Sequence, residues 1–116
     1  MKSTNKNRKD AFNMAVKVLT KDNFDAETAS GVSLVDFWAS WCGPCRMMSP
    51  VVDGLSEKVE RLNVCKVNVD DEPDLADRFG IDMIPALIFI KNGTEANRFI
   101  GIASEDKLIS AAKELI

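Results

Sequence analysis

The sequence has no histidine at any of its 116 positions. That excludes a histidine general base, and it excludes zinc sites in which His completes the ligand set. No stretch approaches the ~18 consecutive apolar residues of a membrane-spanning helix. The N-terminus is positive but lacks the apolar core of a secretory signal, so the reading is a cytosolic, cytoplasmic protein with no membrane partner. Cysteines are few and odd in number, three in all, which fits poorly with a secreted domain stapled by disulfides. Repeats, linkers and low-complexity segments are also lacking. The first ten residues are net basic, with Lys2, Lys6, Arg8 and Lys9 against Asp10. With a formal net charge of -3, the remainder is mildly acidic, which argues against nucleic acid as a partner.

What is present is enough for one globular domain. Hydrophobic residues make up 46% and charged residues 28% of the chain, a balance that supports a single core. Residues 1–11 read as a flexible polar tail and residues 12–116 as the domain. Alternation over 12–18 predicts a strand, and Thr20 is placed to cap a short helix over about 21–29 that ends near Gly31. The apolar run 32–39 predicts a strand covered on both faces. Met48, Val51, Val52, Leu55 and Val59 recur at helical spacing, with Pro50 inside that helix and expected to kink it. Strands are predicted over 63–69, 86–90 and 96–102, and a short helix over 71–80 between Pro73 and Gly80. Asn92-Gly93 predicts a hairpin turn, and Ser104 the cap of a last helix carrying Leu108, Ala111, Ala112 and Leu115 on one face. The fold class is α/β: a five-stranded mixed sheet with helices on both faces. Helix-separated strands are expected to pair parallel, and the hairpin strands antiparallel.

The chemistry concentrates where the second strand gives way to a helix. Cys42 and Cys45 lie at i and i+3, on one side of a first helical turn. Gly43 removes side-chain obstruction and Pro44 stiffens the turn. Unsatisfied N–H groups and the partial positive charge of a helix N-terminus favour thiolate over thiol, so Cys42 should be acidified. The thiolate is the attacking species in thiol–disulfide exchange, and Cys45, one turn further in, should be more buried and resolve the intermediate. Two other assignments compete. The pair could be half of a metal site, although only Cys65 is left over as a soft ligand, or it could be an inert structural disulfide. Cys65 itself, mid-strand among Val64, Val67 and Val69, is expected to be buried and unreactive.

The stretch LVDFWASWCGPCRMMSP resembles the thioredoxin family, and the resemblance continues in order through VCKVNVD, IPALIF, KNGT and IGIAS, over about residues 12–116. It implies a thioredoxin fold, a central sheet flanked by four helices. It implies a protein-disulfide reductase, in which electrons from NADPH arrive through thioredoxin reductase, no cofactor is bound, and the other partners are disulfide-containing client proteins. It implies action as a monomer in cell redox homeostasis. It places Asp36 beneath the cysteines as the group that takes the proton of Cys45, whereas the residues alone also allow an edge-strand carboxylate facing solvent. It brings Lys66 toward Asp36 to tune that carboxylate; alone, Lys66 could be an ordinary solvated lysine. It makes the Ile84–Pro85 bond cis against the disulfide, where trans would otherwise be the default. Ala86 stands where many relatives carry Thr. Trp41, Ile84, Pro85 and Gly101, with Gly43 and Pro44, should form a shallow apolar docking strip for clients. Trp38 reads either as support for that site or as plain core, and Met47 and Met48 as helix packing. An oxidase or isomerase of an oxidising compartment remains an alternative that the Gly-Pro pair disfavours. A subunit that uses the fold only for binding is another.

Overall fold

The computed structural model describes residues 16–116. The predicted tail and the beginning of the predicted first strand lie outside the described residues. Nine elements follow in order: β1 (Val16–Val18), α1 (Phe24–Thr28), β2 (Val32–Trp38), α2 (Gly43–Lys58), β3 (Leu62–Asn68), α3 (Pro73–Arg78), β4 (Ala86–Lys91), β5 (Thr94–Ile100) and α4 (Glu105–Leu115). The five strands form one mixed sheet in the order β1-β3-β2-β4-β5. β3 lies parallel between β1 and β2, while β4 is antiparallel to β2 and β5 to β4.

Side-chain alternation along the strands builds two cores. On one face Val32 and Leu34 of β2, Val64 of β3, and Leu87 and Phe89 of β4 pack beneath Met48, Val52 and Leu55 of α2 and Leu108 and Ala112 of α4. On the other, Val35, Phe37, Val67, Ile88 and Ile90 pack against Leu19, Phe24 of α1 and Leu75 of α3. Covered on both faces, β2 reads as a continuous apolar run interrupted by Ser33 and Asp36.

One pairing departs from the expectation that a helix between two strands makes them parallel. β4 follows α3 and runs antiparallel to β2, with Phe37 opposite Ala86. The reason is length. α3 has six residues, about 9 Å of helix, too short to carry the chain back along a seven-residue strand of ~23 Å. The chain therefore re-enters the sheet at the end where β3 left it. α2, with 16 residues, does span the sheet, and β3 is parallel to β2.

Helix ends differ from expectation in one place. Thr20 is not the cap of α1, which begins at Phe24 after Asn23. Instead, Asn23 Oδ1 accepts the Thr20 N–H at 2.7 Å and Thr20 Oγ1 accepts the Asp22 N–H at 3.2 Å. These local side-chain bonds hold residues 20–23 as a turn and delay the helix. Ser104 does cap α4, accepting the Lys107 N–H at 3.2 Å. α2 passes through Pro50 as one continuous helix. Asn92 and Gly93 both have positive φ, 50° and 85°, as a tight two-residue hairpin turn requires.

Candidate active site

The sequence between β2 and α2 sets the position of both sulfurs. β2 ends at Trp38, and Cys42 is the residue that caps α2, with extended backbone and its side chain accepting a hydrogen bond from the Cys45 N–H. That N–H lies 3.2 Å from Cys42 Sγ. One of the donors left free at a helix N-terminus is therefore aimed at the first sulfur, with the helix dipole adding positive potential. The two cysteines are joined as a disulfide, their Cα atoms 5.3 Å apart. Both are buried, Cys42 at 5% and Cys45 at 3% exposure; in this oxidised state the expected difference in burial between them is slight. They pack with Ala39, Trp38, Val69 and Ile84. Trp38 thus supports the disulfide from behind.

The Ile84–Pro85 peptide bond is cis. The Ile84 carbonyl oxygen lies 3.9 Å from Cys42 Sγ. Gly101, at φ +88°, donates its N–H to the Pro85 carbonyl at 2.8 Å, which brings the end of β5 to this loop. Trp41 is 67% exposed, with its indole Nε1 donating to Asp70 Oδ2 at 2.9 Å. Met83 and Ile102, chain neighbours of Ile84 and Gly101, are exposed apolar side chains as well. Trp41, Ile84, Pro85 and Gly101 are candidates for one docking strip. Asp70, which anchors Trp41, was not singled out by the sequence; its only signal is its place in the loop directly after β3.

Beneath the disulfide, Asp36 and Lys66 occupy directly paired positions on β2 and β3. They point to the face covered by α2. Asp36, Trp38, Lys66, Cys45, Arg46 and Ser49 line one cavity of about 100 Å³. Asp36 is 1% exposed, and its Oδ1 has no hydrogen-bond partner among the described residues. Burial pushes its carboxyl up to about 7, against a smaller opposing pull from Lys66 and a small push from Asp53. The solvent-facing reading of Asp36 is thereby corrected: no neighbour donates to Oδ1, so the uncharged form is favoured. Lys66 is not a solvated lysine either. Its ammonium donates to Ser49 Oγ at 2.7 Å and pairs with Asp53 Oδ1 at 2.9 Å. Ser49 and Asp53 escaped the sequence reading. The signal was available, because residues 45, 49 and 53 fall at successive i, i+4 positions on the face of α2 that carries Cys45.

Cys65 lies on the opposite face of β3, fully buried, its thiol pushed up to about 12 chiefly by burial. Met48 is core, whereas Met47 is 65% exposed, so the packing expectation holds for only one of the two. Among the described residues no group of three or more Cys, His, Asp or Glu is arranged to hold a metal ion, and no helix is long and apolar enough to cross a membrane.

Comparison with known proteins places this geometry among relatives. Residues 15–114 match the family model described as Thioredoxin. The chain is 44% identical over 94 residues to a thioredoxin of Chlamydia caviae, covering 81% of this chain and 92% of the relative. It is 41% identical over 96 residues to a thioredoxin of Staphylococcus saprophyticus, covering 82% and 92%. Among solved structures, it is similar to a mutant thioredoxin of Halobacterium salinarum with a TM-score of 0.82 and 31% identity, over 86% of this chain and 89% of that one. The thioredoxin of Malassezia sympodialis aligns with a TM-score of 0.79 and 35% identity, over 86% and 90%.

Proposed function

The chain belongs to the thioredoxin family and is a protein-disulfide oxidoreductase, and from that premise we propose how its residues divide the reduction of a client disulfide. The carrying observation is the Cys42–Cys45 pair at the start of α2, with the Cys45 N–H directed at Cys42 Sγ. In the reduced protein Cys42, as thiolate, attacks one sulfur of the client disulfide. A Cys42–client mixed disulfide forms and the other client sulfur leaves as a thiolate. The buried carboxylate of Asp36 takes the Cys45 proton across the cavity they share. Cys45 then attacks Cys42 Sγ, closing the Cys42–Cys45 disulfide and releasing the second client thiolate. A carboxyl with a pKa of about 7 suits this step, since it exchanges a proton near neutral pH.

Trp41, Ile84, Pro85 and Gly101 form the client strip, with Gly43 and Pro44 leaving the approach to Cys42 unobstructed. An extended client segment would lie beside the Ile84 carbonyl. Resetting the disulfide takes two electrons, supplied from NADPH by thioredoxin reductase, which makes that enzyme the second partner. A reductive role of this kind belongs in a compartment that keeps thiols reduced, so we assign the protein to the cytoplasm. It acts as a single chain, its redox cycle contained in one active site.

The test is client trapping. Cys45→Ser, exposed to client disulfides and run on a non-reducing gel, should accumulate mixed disulfides through Cys42, while Cys42→Ser should trap none. Equal trapping by the two variants would overturn the assignment of attacking and resolving thiols. In parallel, wild type should support NADPH consumption by thioredoxin reductase in the presence of a disulfide substrate, and the double cysteine variant should not.

A further inference from the structure

Lys66 and Asp36 sit side by side on paired strands, yet the ammonium makes its hydrogen bond and its ion pair elsewhere. Nζ meets Ser49 Oγ at 2.7 Å and Asp53 Oδ1 at 2.9 Å, both on α2. Asp36 Oδ1, on the same cavity, is left without a partner among the described residues. A buried carboxylate beside an ammonium would ordinarily capture it in a charge-assisted bond. Here two groups on successive turns of one helix hold the cation away.

We propose that Ser49 is a positioning residue: its hydroxyl, together with the Asp53 carboxylate, ties the Lys66 ammonium to α2 and so keeps it from closing onto Asp36. The ammonium then acts on Asp36 through the field alone. It lowers the proton affinity of the carboxyl without quenching it, and burial remains the larger influence. Among the described residues the other charge that reaches Asp36 is the Asp53 carboxylate, whose push is smaller than the pull of Lys66. The partner of Asp36 on β4 is Leu87, and the α4 side chains in this core are Leu108, Ala111 and Ala112. On α2 the groups near the cavity are Cys45, Arg46, Ser49 and Asp53. Arg46 is exposed, and its guanidinium donates to the Ser40 carbonyl at 2.9 Å. Ser49 is thus the one uncharged group whose removal changes where a charge sits while adding or removing none.

The inference rests on the reading that Asp36 takes the Cys45 proton, and the experiment separates the two. In the oxidised protein Cys45 does not titrate, so carbon-detected NMR of the Asp36 carboxyl reads its proton affinity with the neighbouring thiol silent. Ser49→Ala, a change that suits a helix, removes one of the two ties, so the ammonium should shift toward Oδ1 and lower the Asp36 midpoint by about 1 pH unit. Ser49→Thr, which keeps the hydroxyl, should restore it. In a Lys66→Met background, Ser49→Ala should produce no shift. A midpoint that stays or rises in Ser49→Ala overturns the proposal, and so does a fall of equal size without Lys66. Stopped-flow measurement of mixed-disulfide resolution should show its acid limb moving to lower pH in step with the NMR midpoint. If the midpoint moves and the limb does not, the positioning role of Ser49 stands and the proton-accepting role of Asp36 falls.

Discussion

Asp36 keeps its proton to about pH 7 in the fold, against an ordinary carboxyl value of 3.8. Between those values the folded state binds more protons than the unfolded chain, so stability falls as pH rises through that window. The full stability is present below the lower value and has been lost above the upper one. Asp36→Asn removes the titration. At pH 8 it should be more stable than wild type by on the order of 4 kcal/mol, and below pH 4 the two should converge, as read from urea denaturation across pH. A gain that persists unchanged at low pH would mean that something other than the buried charge is responsible. The same variant should slow resolution of mixed disulfides. Cys65 makes the opposite case of a buried group kept silent. With its thiol pushed up to about 12, only ~0.01% of it is thiolate at pH 8. An alkylating reagent should therefore label Cys42 in the reduced, folded protein well before Cys65, with peptide mass spectrometry as the readout. Equal rates would mean that the β3 thiol is accessible. Asp36 was legible as a carboxylate inside an apolar strand, but the residues alone left it either buried or on a solvent-facing edge, and packing decided for burial. The partners of Lys66 were not legible, because a lysine side chain has four rotatable bonds and sequence spacing does not say which neighbour it reaches.

Among the elements, α4 shows what local sequence can specify. Ser104 accepts the Lys107 N–H, and Glu105 and Asp106 place negative charge in the first turn, where the helix dipole favours it. Ser104→Ala should cost about 1 kcal/mol, measurable as a lowered denaturation midpoint, with Ser104→Asp recovering most of it. No change would mean that packing of Leu108 and Ala112 alone holds the helix start. The Asn92-Gly93 turn is equally local: a φ of +85° at Gly93 suits glycine and strains other residues. By contrast, α1 starts later than Thr20 suggests, because Thr20 and Asn23 spend their side chains on a turn. The signals for cap and turn are the same residue types, and only the backbone path distinguishes them.

At the scale of the whole molecule, one sheet carries two cores. Leu87 and Ile88 are adjacent in β4, both fully buried, and point into opposite cores. Because the three central strands, β2, β3 and β4, serve both faces, neither core should unfold alone. Leu87→Ala and Ile88→Ala should each cost about 2–5 kcal/mol, within a single cooperative transition seen alike by circular dichroism and tryptophan fluorescence. Separate transitions would show that the faces are independent. The sequence by itself determined the elements, the apolar faces and the Cys42–Cys45 pair, because periodicity, turn residues and short spacings act within a few residues. Its likeness to the thioredoxin family added the thioredoxin fold, with four flanking helices, and the expectation of a docking strip. Tertiary structure alone decided the antiparallel entry of β4, since that depends on how far α3 reaches against the length of β3. It also decided that Lys66 bonds Ser49 and Asp53 rather than Asp36. Those groups come from two strands and a helix, and their balance of burial and charge exists only once the three are packed together.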